Sequence, residues 1–324
     1  MPVVRHGVTS LVLFTSLFPG CAASNVGVDE SAEVATPSMR PPSAESDEPT
    51  EDERRLGRGH VTQVARMMRF ADAAYRGKTP EAMREVWERL GMTFVASVRD
   101  RGPFMYDVVT DATSIVVVFR GTDDIEQWFT NFDYGSVEPS GEYSTEFWAA
   151  GVNARYHGGF FRSLEAGAPP LLAIVRDERA KHDLPLYVTG HSLGGAYAQL
   201  FGWLLTRNTR MPEGVYAFAS PKVGNGTVVE ALDNELEDRL FRFYDGDDPV
   251  PVQPTSWVAP TYARSPREVN LLDPGLTFTS AGTFSPTGLT GSDLPTDFGA
   301  HLPEVYLARL EALEAAFTAR NAPR

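Results

Sequence analysis

Two different spacings of apolar residues alternate along the chain from about residue 60 onward. Short apolar runs bounded by turn residues predict strands, and longer stretches with apolar residues three and four positions apart predict helices. The predicted strands are 94–98, 107–110, 115–119, 186–189, 215–219 and 240–244. The predicted helices are 61–75, one that starts at Thr79-Pro80-Glu81, 164–181 apart from a glycine and two prolines near its start, one from Ala196, and 302–318. Strands that alternate with helices predict an α/β fold, with a mostly parallel central sheet and helices on both faces.

The first 20 residues have a different pattern. Arg5 and His6 precede an apolar run, 8–18, that is too short to span a bilayer, and Pro19-Gly20-Cys21 follows. This arrangement resembles a bacterial lipoprotein signal, in which the cysteine becomes the lipidated first residue of the mature protein. The alternative is an ordinary secretory signal with an incidental cysteine. Cys21 is the only cysteine, so it forms no intramolecular disulfide.

Residues 21–58 form the second region, which is rich in acidic residues and proline and has no aromatic residue. Such a composition cannot bury enough apolar surface to fold, so we expect a disordered, self-repelling linker. The resulting division is a signal segment over 1–20, a linker over 21–58 and one folded domain over 59–324.

Composition limits the partners of this domain. The chain has 324 residues, of which 42% are hydrophobic, which is enough for one large core. Its formal net charge of −14 argues against a nucleic-acid partner and against simple electrostatic attraction to anionic lipid. The charge does not exclude a neutral ester substrate. Oligomeric state is not encoded in these features.

The run Gly190-His-Ser-Leu-Gly194 contains the pattern Gly-x-Ser-x-Gly between a predicted strand and a predicted helix. This is the sharp turn that presents a serine hydroxyl for acyl transfer, and its glycines allow the helix to pack against the strand. The alternative is an ordinary glycine-rich turn between a strand and a helix. We therefore take Ser192 as the candidate nucleophile and the backbone N–H of Leu193 as a candidate oxyanion donor.

The order of residues along the chain selects the partners of the serine. On an α/β-hydrolase sheet the triad runs Ser, then Asp or Glu, then His. Five of the six histidines precede Ser192, so His301 is the candidate base. The acid must lie between them, and the loop after the strand 240–244 offers Asp245, Asp247 and Asp248. The alternatives are a helix-capping neighbour for His301 and a solvated turn for the aspartate cluster, and we expect such a solvated position for at least one of Asp245 and Asp247.

Five blocks, in this order, resemble the lipase class 3 family, the α/β-hydrolases typified by secreted triacylglycerol lipases of filamentous fungi. They are Val118-Phe-Arg-Gly-Thr122, His157-Gly-Gly-Phe160, Gly190-His-Ser-Leu-Gly-Gly195, Phe218-Ala-Ser-Pro-Lys-Val-Gly-Asn225 and Asp248-Pro-Val-Pro251. The resemblance covers roughly residues 60 to 315 and implies an α/β-hydrolase fold. It favours Asp248 as the triad acid, and it implies that Thr122 supplies a second oxyanion donor.

The resemblance also places a lid helix after the oxyanion residue, over 123–134. Ile125, Trp128, Phe129 and Phe132 make an apolar face there, and the alternative is a fixed helix packed on the core. Arg120, beside the oxyanion block, is interpreted as a structural salt-bridge residue in preference to a charged oxyanion donor. The loop 274–299 before His301 is rich in Gly, Ser, Thr and Pro, and its role is not predicted.

These features predict an exported serine ester hydrolase that uses no metal or cofactor. Its substrates are acyl esters of lipids, with acylglycerols as the first choice, and its membrane attachment is a lipid anchor on Cys21. A phospholipase A1 or a short-chain carboxylesterase is the alternative on the same scaffold. A non-catalytic surface binding protein is the hypothesis from another class, against which an intact set of Ser192, Asp248 and His301 argues.

Overall fold

The computed structural model describes residues 59–100, 102–125, 135–255, 261–272 and 298–321 of the chain. The predicted signal segment, Cys21 and the predicted linker lie outside these residues. So do most of the predicted lid and nearly all of the loop before His301. Within the described ranges, no helix has the length and apolar character needed to cross a membrane.

Secondary structure in the described residues alternates between strands and helices. The helices are α1 (Val61–Ala73), α2 (Pro80–Arg89), α3 (Ser144–Trp148), α4 (Gly158–Lys181), α5 (Leu193–Asn208), α6 (Gly226–Glu235) and α7 (Pro303–Asn321). The strands are β1 (Thr93–Val98), β2 (Tyr106–Thr110), β3 (Ile115–Phe119), β4 (Ser136–Val137), β5 (Tyr156–His157), β6 (Leu186–His191), β7 (Gly214–Phe218), β8 (Leu240–Tyr244) and β9 (Val269–Asn270). Short 3-10 helices cover Glu237–Arg239 and Phe298–His301.

Seven strands form the main sheet, in the order β1-β2-β3-β6-β7-β8-β9. β1, β2 and β3 pair antiparallel, and every pairing from β3 to β9 is parallel. β4 and β5 form a separate antiparallel pair. The carboxyl ends of the parallel strands therefore meet at one edge of the sheet, where α/β folds place their functional residues.

Helices cover both faces of this sheet, and each face has its own hydrophobic core. Val117 and Phe119 of β3 pack into the core that α4 and α5 cover, whereas Val116 and Val118 pack into the core that α1, α2 and α7 cover. Because both faces are buried, β3 is apolar at every position. The predicted α/β architecture with a mostly parallel sheet is confirmed.

The predicted interruption in the helix 164–181 is wrong. α4 begins at Gly158 and continues through Pro169 and Pro170. A proline inside a helix removes a backbone donor and costs about 3 kcal/mol. Tertiary packing offsets this cost, since α4 buries one continuous apolar face in the core. The buried residues of that face include Phe160, Phe161, Leu164, Leu171, Leu172 and Val175.

Candidate active site

A sharp turn between β6 and α5 carries Ser192. The strand ends at His191 and the helix begins at Leu193, and Ser192 between them adopts φ 60° and ψ −129°. Residues other than glycine rarely adopt backbone angles with positive φ, so the surrounding structure must hold Ser192 in this conformation. The conformation projects the serine side chain from the turn, as in the nucleophile elbow of α/β-hydrolases.

Close backbone approaches explain the glycines on either side of this serine. A Cβ on Gly190 would lie 2.3 Å from the carbonyl oxygen of Gly194. A Cβ on Gly194 would lie 2.3 Å from the carbonyl oxygen of Phe119, at the end of β3. Both distances are too short for any side chain, so the Gly-x-Ser-x-Gly pattern is a packing requirement of the turn.

Three separate segments bring their side chains together at Ser192. His301 Nε2 lies 2.8 Å from Ser192 Oγ, and His301 Nδ1 lies 2.8 Å from Asp248 Oδ2. All three residues are buried. His301 ends the 3-10 turn before α7, and Asp248 lies in the loop after β8. The sequence-predicted nucleophile, acid and base thus form one hydrogen-bonded series.

Two further donors fix the Asp248 carboxylate. The backbone N–H of Val250 donates to Oδ1 at 2.8 Å, and the Tyr306 hydroxyl donates to Oδ2 at 2.7 Å. The same hydroxyl accepts the backbone N–H of Asp245 at 2.8 Å. Burial and the adjacent Asp248 raise the pKa of Tyr306 well above its usual value, so this hydroxyl stays protonated and available as a donor.

The two other aspartates of the loop have different environments. Asp247 is exposed, as predicted for a solvated turn. Asp245, in contrast, is fully buried. Its carboxylate accepts the Asp247 N–H at 2.9 Å and lies 2.6 Å from Arg309 Nε of α7. Burial raises the pKa of Asp245, while the Asp247 N–H and Arg309 oppose that shift. The contact between Asp245 and Arg309 therefore links the loop that carries Asp248 to α7.

The candidate oxyanion donors come from neighbouring segments. Leu193 is the first residue of α5, where backbone N–H groups have no acceptor within the helix. Thr122 follows β3, whose last residue, Phe119, pairs with Gly190. Gly121, the residue before Thr122, packs against the turn that carries Ser192. A Cβ on Gly121 would lie 2.7 Å from the carbonyl oxygen of His191. The loop that carries Thr122 therefore lies directly beside Ser192.

Arg120 has the structural environment that we preferred from the sequence. Its guanidinium is buried, pairs with Asp123 and lies 3.5 Å from the sulfur of Met105. The guanidinium also lies over the ring of Tyr75, at 5.6 Å from the ring centre. These contacts fix the position of the backbone just before Thr122.

Two of the five sequence blocks have architectural roles, and the fourth also contacts the serine, since the Phe218 carbonyl accepts the Ser192 N–H at 2.9 Å. The backbone N–H of His157 donates to the Val223 carbonyl at 2.9 Å, which joins the second block to the fourth. Asn225, at the end of the fourth block, caps α6 through the Val228 N–H. Its side-chain amide also donates to the Asn153 carbonyl at 2.7 Å. The other three blocks carry Thr122, Ser192 and Asp248.

A cavity of about 280 Å³ lies beside His301. Its lining includes Tyr75, Thr122, Ile125, Phe298, His301 and Leu302. Of the predicted apolar lid face only Ile125 belongs to the described residues, and it lines this cavity. A larger cavity of about 420 Å³, between β1, β2 and α4, contains no triad residue in its lining.

Sequence comparisons show which proteins this chain is similar to. Residues 116–257 match the family model described as lipase (class 3). The secreted mono- and diacylglycerol lipase 1 of Fusarium solani is 34% identical over 141 residues, which are 43% of this chain and 39% of that protein. The secreted mono- and diacylglycerol lipase A of Penicillium cyclopium is 27% identical over 206 residues, 59% of this chain and 61% of that protein. The matched segment covers somewhat less than half of the chain, and over it the chain is similar to the class 3 lipases.

Comparison with a solved structure confirms the fold. A mono- and diacylglycerol lipase from Aspergillus oryzae aligns with a TM-score of 0.62 at 24% identity, over 78% of this chain and 98% of that one. The central sheet is therefore that of an α/β-hydrolase. The chain spans between about a third and three fifths of the length of the first curated relatives that it matches.

Sequence reasoning missed two tyrosines at this site. Tyr306 contacts Asp248, and Tyr75 contacts His191, whose Nδ1 lies 3.0 Å from the Tyr75 hydroxyl oxygen. Tyr75 was interpreted only as one apolar position of the first helix. Neither residue belongs to a motif, and each is more than 50 positions from its partner. The hydrophobic pattern identifies both as helix-face residues and carries no signal for their hydroxyl groups.

Proposed function

We propose that this protein is a serine carboxylic ester hydrolase of the lipase type, which hydrolyses acyl esters of lipids through Ser192, His301 and Asp248. The observation that carries the proposal is the pair of 2.8 Å contacts that join Ser192 Oγ, the His301 imidazole and Asp248 Oδ2. A general base within hydrogen-bond reach of the nucleophile, and itself oriented by a third group, is the arrangement that activates a serine.

In this proposal His301 removes the proton from Ser192 as the hydroxyl oxygen attacks the ester carbonyl. Asp248 holds the imidazole in the tautomer with its proton on Nδ1, and it stabilises the imidazolium that forms. The Leu193 N–H, together with the N–H and hydroxyl of Thr122, receives the developing oxyanion. His301 then returns the proton to the leaving alcohol, and water hydrolyses the acyl-enzyme by the same route.

Acylglycerols are the first substrate class in this proposal. The two named fungal relatives act on mono- and diacylglycerols, according to their names. In this chain the cavity beside His301 is lined in part by Ile125, Phe298 and Leu302, which suit an acyl chain. Export is part of the proposal, because the same relatives are named as secreted proteins. Attachment through a lipidated Cys21 rests on the sequence pattern at residues 1–21.

A fluorophosphonate probe followed by a substrate panel tests the proposal. The probe should label the full-length protein on Ser192, and Ser192→Ala should remove both the label and the turnover of p-nitrophenyl esters. The variant should keep the wild-type melting temperature, since the side chain that it loses is small. An unlabelled wild type would support a non-catalytic binding protein.

The panel compares emulsified long-chain triacylglycerol, diacylglycerol, phosphatidylcholine and a soluble p-nitrophenyl butyrate. We expect the acylglycerols to be hydrolysed fastest. Preferential hydrolysis of phosphatidylcholine at the sn-1 ester would identify a phospholipase A1. Turnover confined to the soluble ester would identify a short-chain carboxylesterase.

A further inference from the structure

The Tyr75 hydroxyl lies between the Thr122 loop and the turn that carries Ser192. On one side, its oxygen is 3.0 Å from His191 Nδ1. On the other side, it packs against Gly121 so closely that a Cβ there would lie 1.9 Å from it, and it interacts with the Gly121 backbone N–H. One oxygen atom thus contacts the residues that immediately precede Thr122 and Ser192.

The tautomer of His191 sets the direction of the hydrogen bond between the Tyr75 hydroxyl and Nδ1. Burial, and then the nearby His301, lower the pKa of His191 well below its usual value, so the ring is neutral and only one of its nitrogens carries a proton. The Tyr75 hydroxyl donates to Nδ1 in one tautomer. In the other it accepts the Nδ1 proton and donates to the His191 carbonyl oxygen, which lies 3.4 Å away. In both tautomers the hydroxyl is hydrogen-bonded to the residue that precedes Ser192.

We propose that Tyr75 is a positioning residue of the oxyanion hole, because its hydroxyl couples the backbone that carries Thr122 to the backbone that carries Ser192 and Leu193. This inference rests on the proposed ester hydrolysis. The two oxyanion donors come from separate segments, and their separation must match the tetrahedral intermediate within a fraction of an ångström. The guanidinium of Arg120, the residue before Gly121, lies over the Tyr75 ring and adds a second contact between Tyr75 and the same loop.

The variant Tyr75→Phe tests this role, because it removes the hydroxyl and keeps the ring. We expect kcat to fall about 10- to 100-fold, less than for complete loss of an oxyanion donor, with KM changed less than about threefold. Tyr156→Phe is the matched control. It also removes one hydroxyl, which donates to the Phe147 carbonyl at 2.8 Å in the core and contacts no residue of the proposed site. The control should lower the melting temperature and leave kcat unchanged.

A pair of inhibitors separates positioning from general loosening of the structure. A long-chain alkyl trifluoromethyl ketone forms a hemiketal with a serine nucleophile and places an oxyanion in the hole. The corresponding alcohol has the same chain and no carbonyl. In Tyr75→Phe, the inhibition constant of the ketone should rise by the same factor as the loss in kcat/KM, and that of the alcohol should change less than about twofold.

Coupling to Thr122 supplies the second measurement. Thr122→Ala removes the hydroxyl donor, and in that background Tyr75→Phe should cost less than it does in the wild type, because the two changes affect one hole. Wild-type kcat and ketone affinity in Tyr75→Phe would overturn the inference, as would equal weakening of the ketone and the alcohol, or losses that multiply in the double variant. A wild type that neither hydrolyses esters nor binds the ketone would instead overturn the proposed function itself.

Discussion

The Tyr306 hydroxyl donates to Asp248 Oδ2 at 2.7 Å, and the same oxygen lies 2.8 Å from His301 Nδ1. Both donors belong to one short segment, since His301 precedes α7 and Tyr306 lies in its first turns. The segment at the start of α7 therefore carries the proposed base and also a residue that orients the proposed acid. Arg309, one turn further along α7, pairs with Asp245 and fastens the same loop.

Replacing Tyr306 with phenylalanine should lower kcat about tenfold, which corresponds to the loss of one hydrogen bond to a charged group. The stability should also fall, because the buried Asp245 N–H loses its acceptor. Steady-state kinetics and thermal melts measure the two effects. In an Asp248→Asn background, Tyr306→Phe should reduce kcat little further, and an undiminished tenfold loss there would contradict a role through Asp248.

The three loop aspartates should respond differently to replacement by asparagine. Asp248→Asn should reduce kcat by up to about 10⁴, because an amide favours the wrong imidazole tautomer. Asp245→Asn should mainly lower the melting temperature, since it removes the buried partner of Arg309. Asp247→Asn is the matched control on the exposed side of the loop and should change neither quantity. Equal kinetic losses at Asp245 and Asp248 would leave Asp248 without a distinct role.

His191 makes the folding stability depend on pH below neutrality. The unfolded histidine takes up a proton near pH 6.5, whereas the buried imidazole stays neutral because its pKa is lowered well below that value. The unfolded state therefore binds the extra proton, and stability is lost as the pH falls below about 6.5, by about 1.4 kcal/mol per unit from this group.

Denaturant titrations of wild type and His191→Gln between pH 5 and pH 7 measure this contribution as the difference between two slopes. The variant should show the shallower dependence. Identical slopes would mean that the imidazole at position 191 is protonated in the folded protein as readily as in the unfolded chain.

Cys21 should carry the membrane attachment. Each acyl chain contributes about 0.8 kcal/mol per buried methylene, and stable anchoring requires two chains or two signals. In a bacterial host, the wild type should fractionate with membranes and incorporate labelled fatty acid. Cys21→Ser should lose the label. An unlabelled wild type, released as a soluble chain that starts at another residue, would instead support plain secretion.

Sequence patterns determined most of the framework of the site. The predicted strands 115–119 and 240–244 have the same bounds as β3 and β8, because their ends coincide with turn residues. The order rule selected His301 from six histidines, and the structure places it in contact with both Ser192 and Asp248. The local hydrophobic pattern and the order of residues along the chain were enough to identify these site residues, since each lies near the end of a strand or helix.

The remaining features depend on contacts between distant segments. Asp245 and Asp247 are two positions apart in one loop, and only the packing of α7 decides which of them is buried. The hydroxyl groups of Tyr75 and Tyr306 likewise acquire partners only when the first and last helices fold against the sheet. The continuation of α4 through two prolines is decided by its buried face, which outweighs the local penalty.

The antiparallel packing of α1 and α7 has a practical consequence for immobilising this protein. α1 begins where α7 ends, and the rings of His60 and Phe317 lie 5.1 Å apart. At the other ends of these helices, Tyr75 and His301 both line the cavity of about 280 Å³. Helices of 13 and 19 residues extend about 20 and 28 Å. Surface linkages placed near His60 or Phe317 will therefore lie at the ends of the two helices that are remote from this cavity.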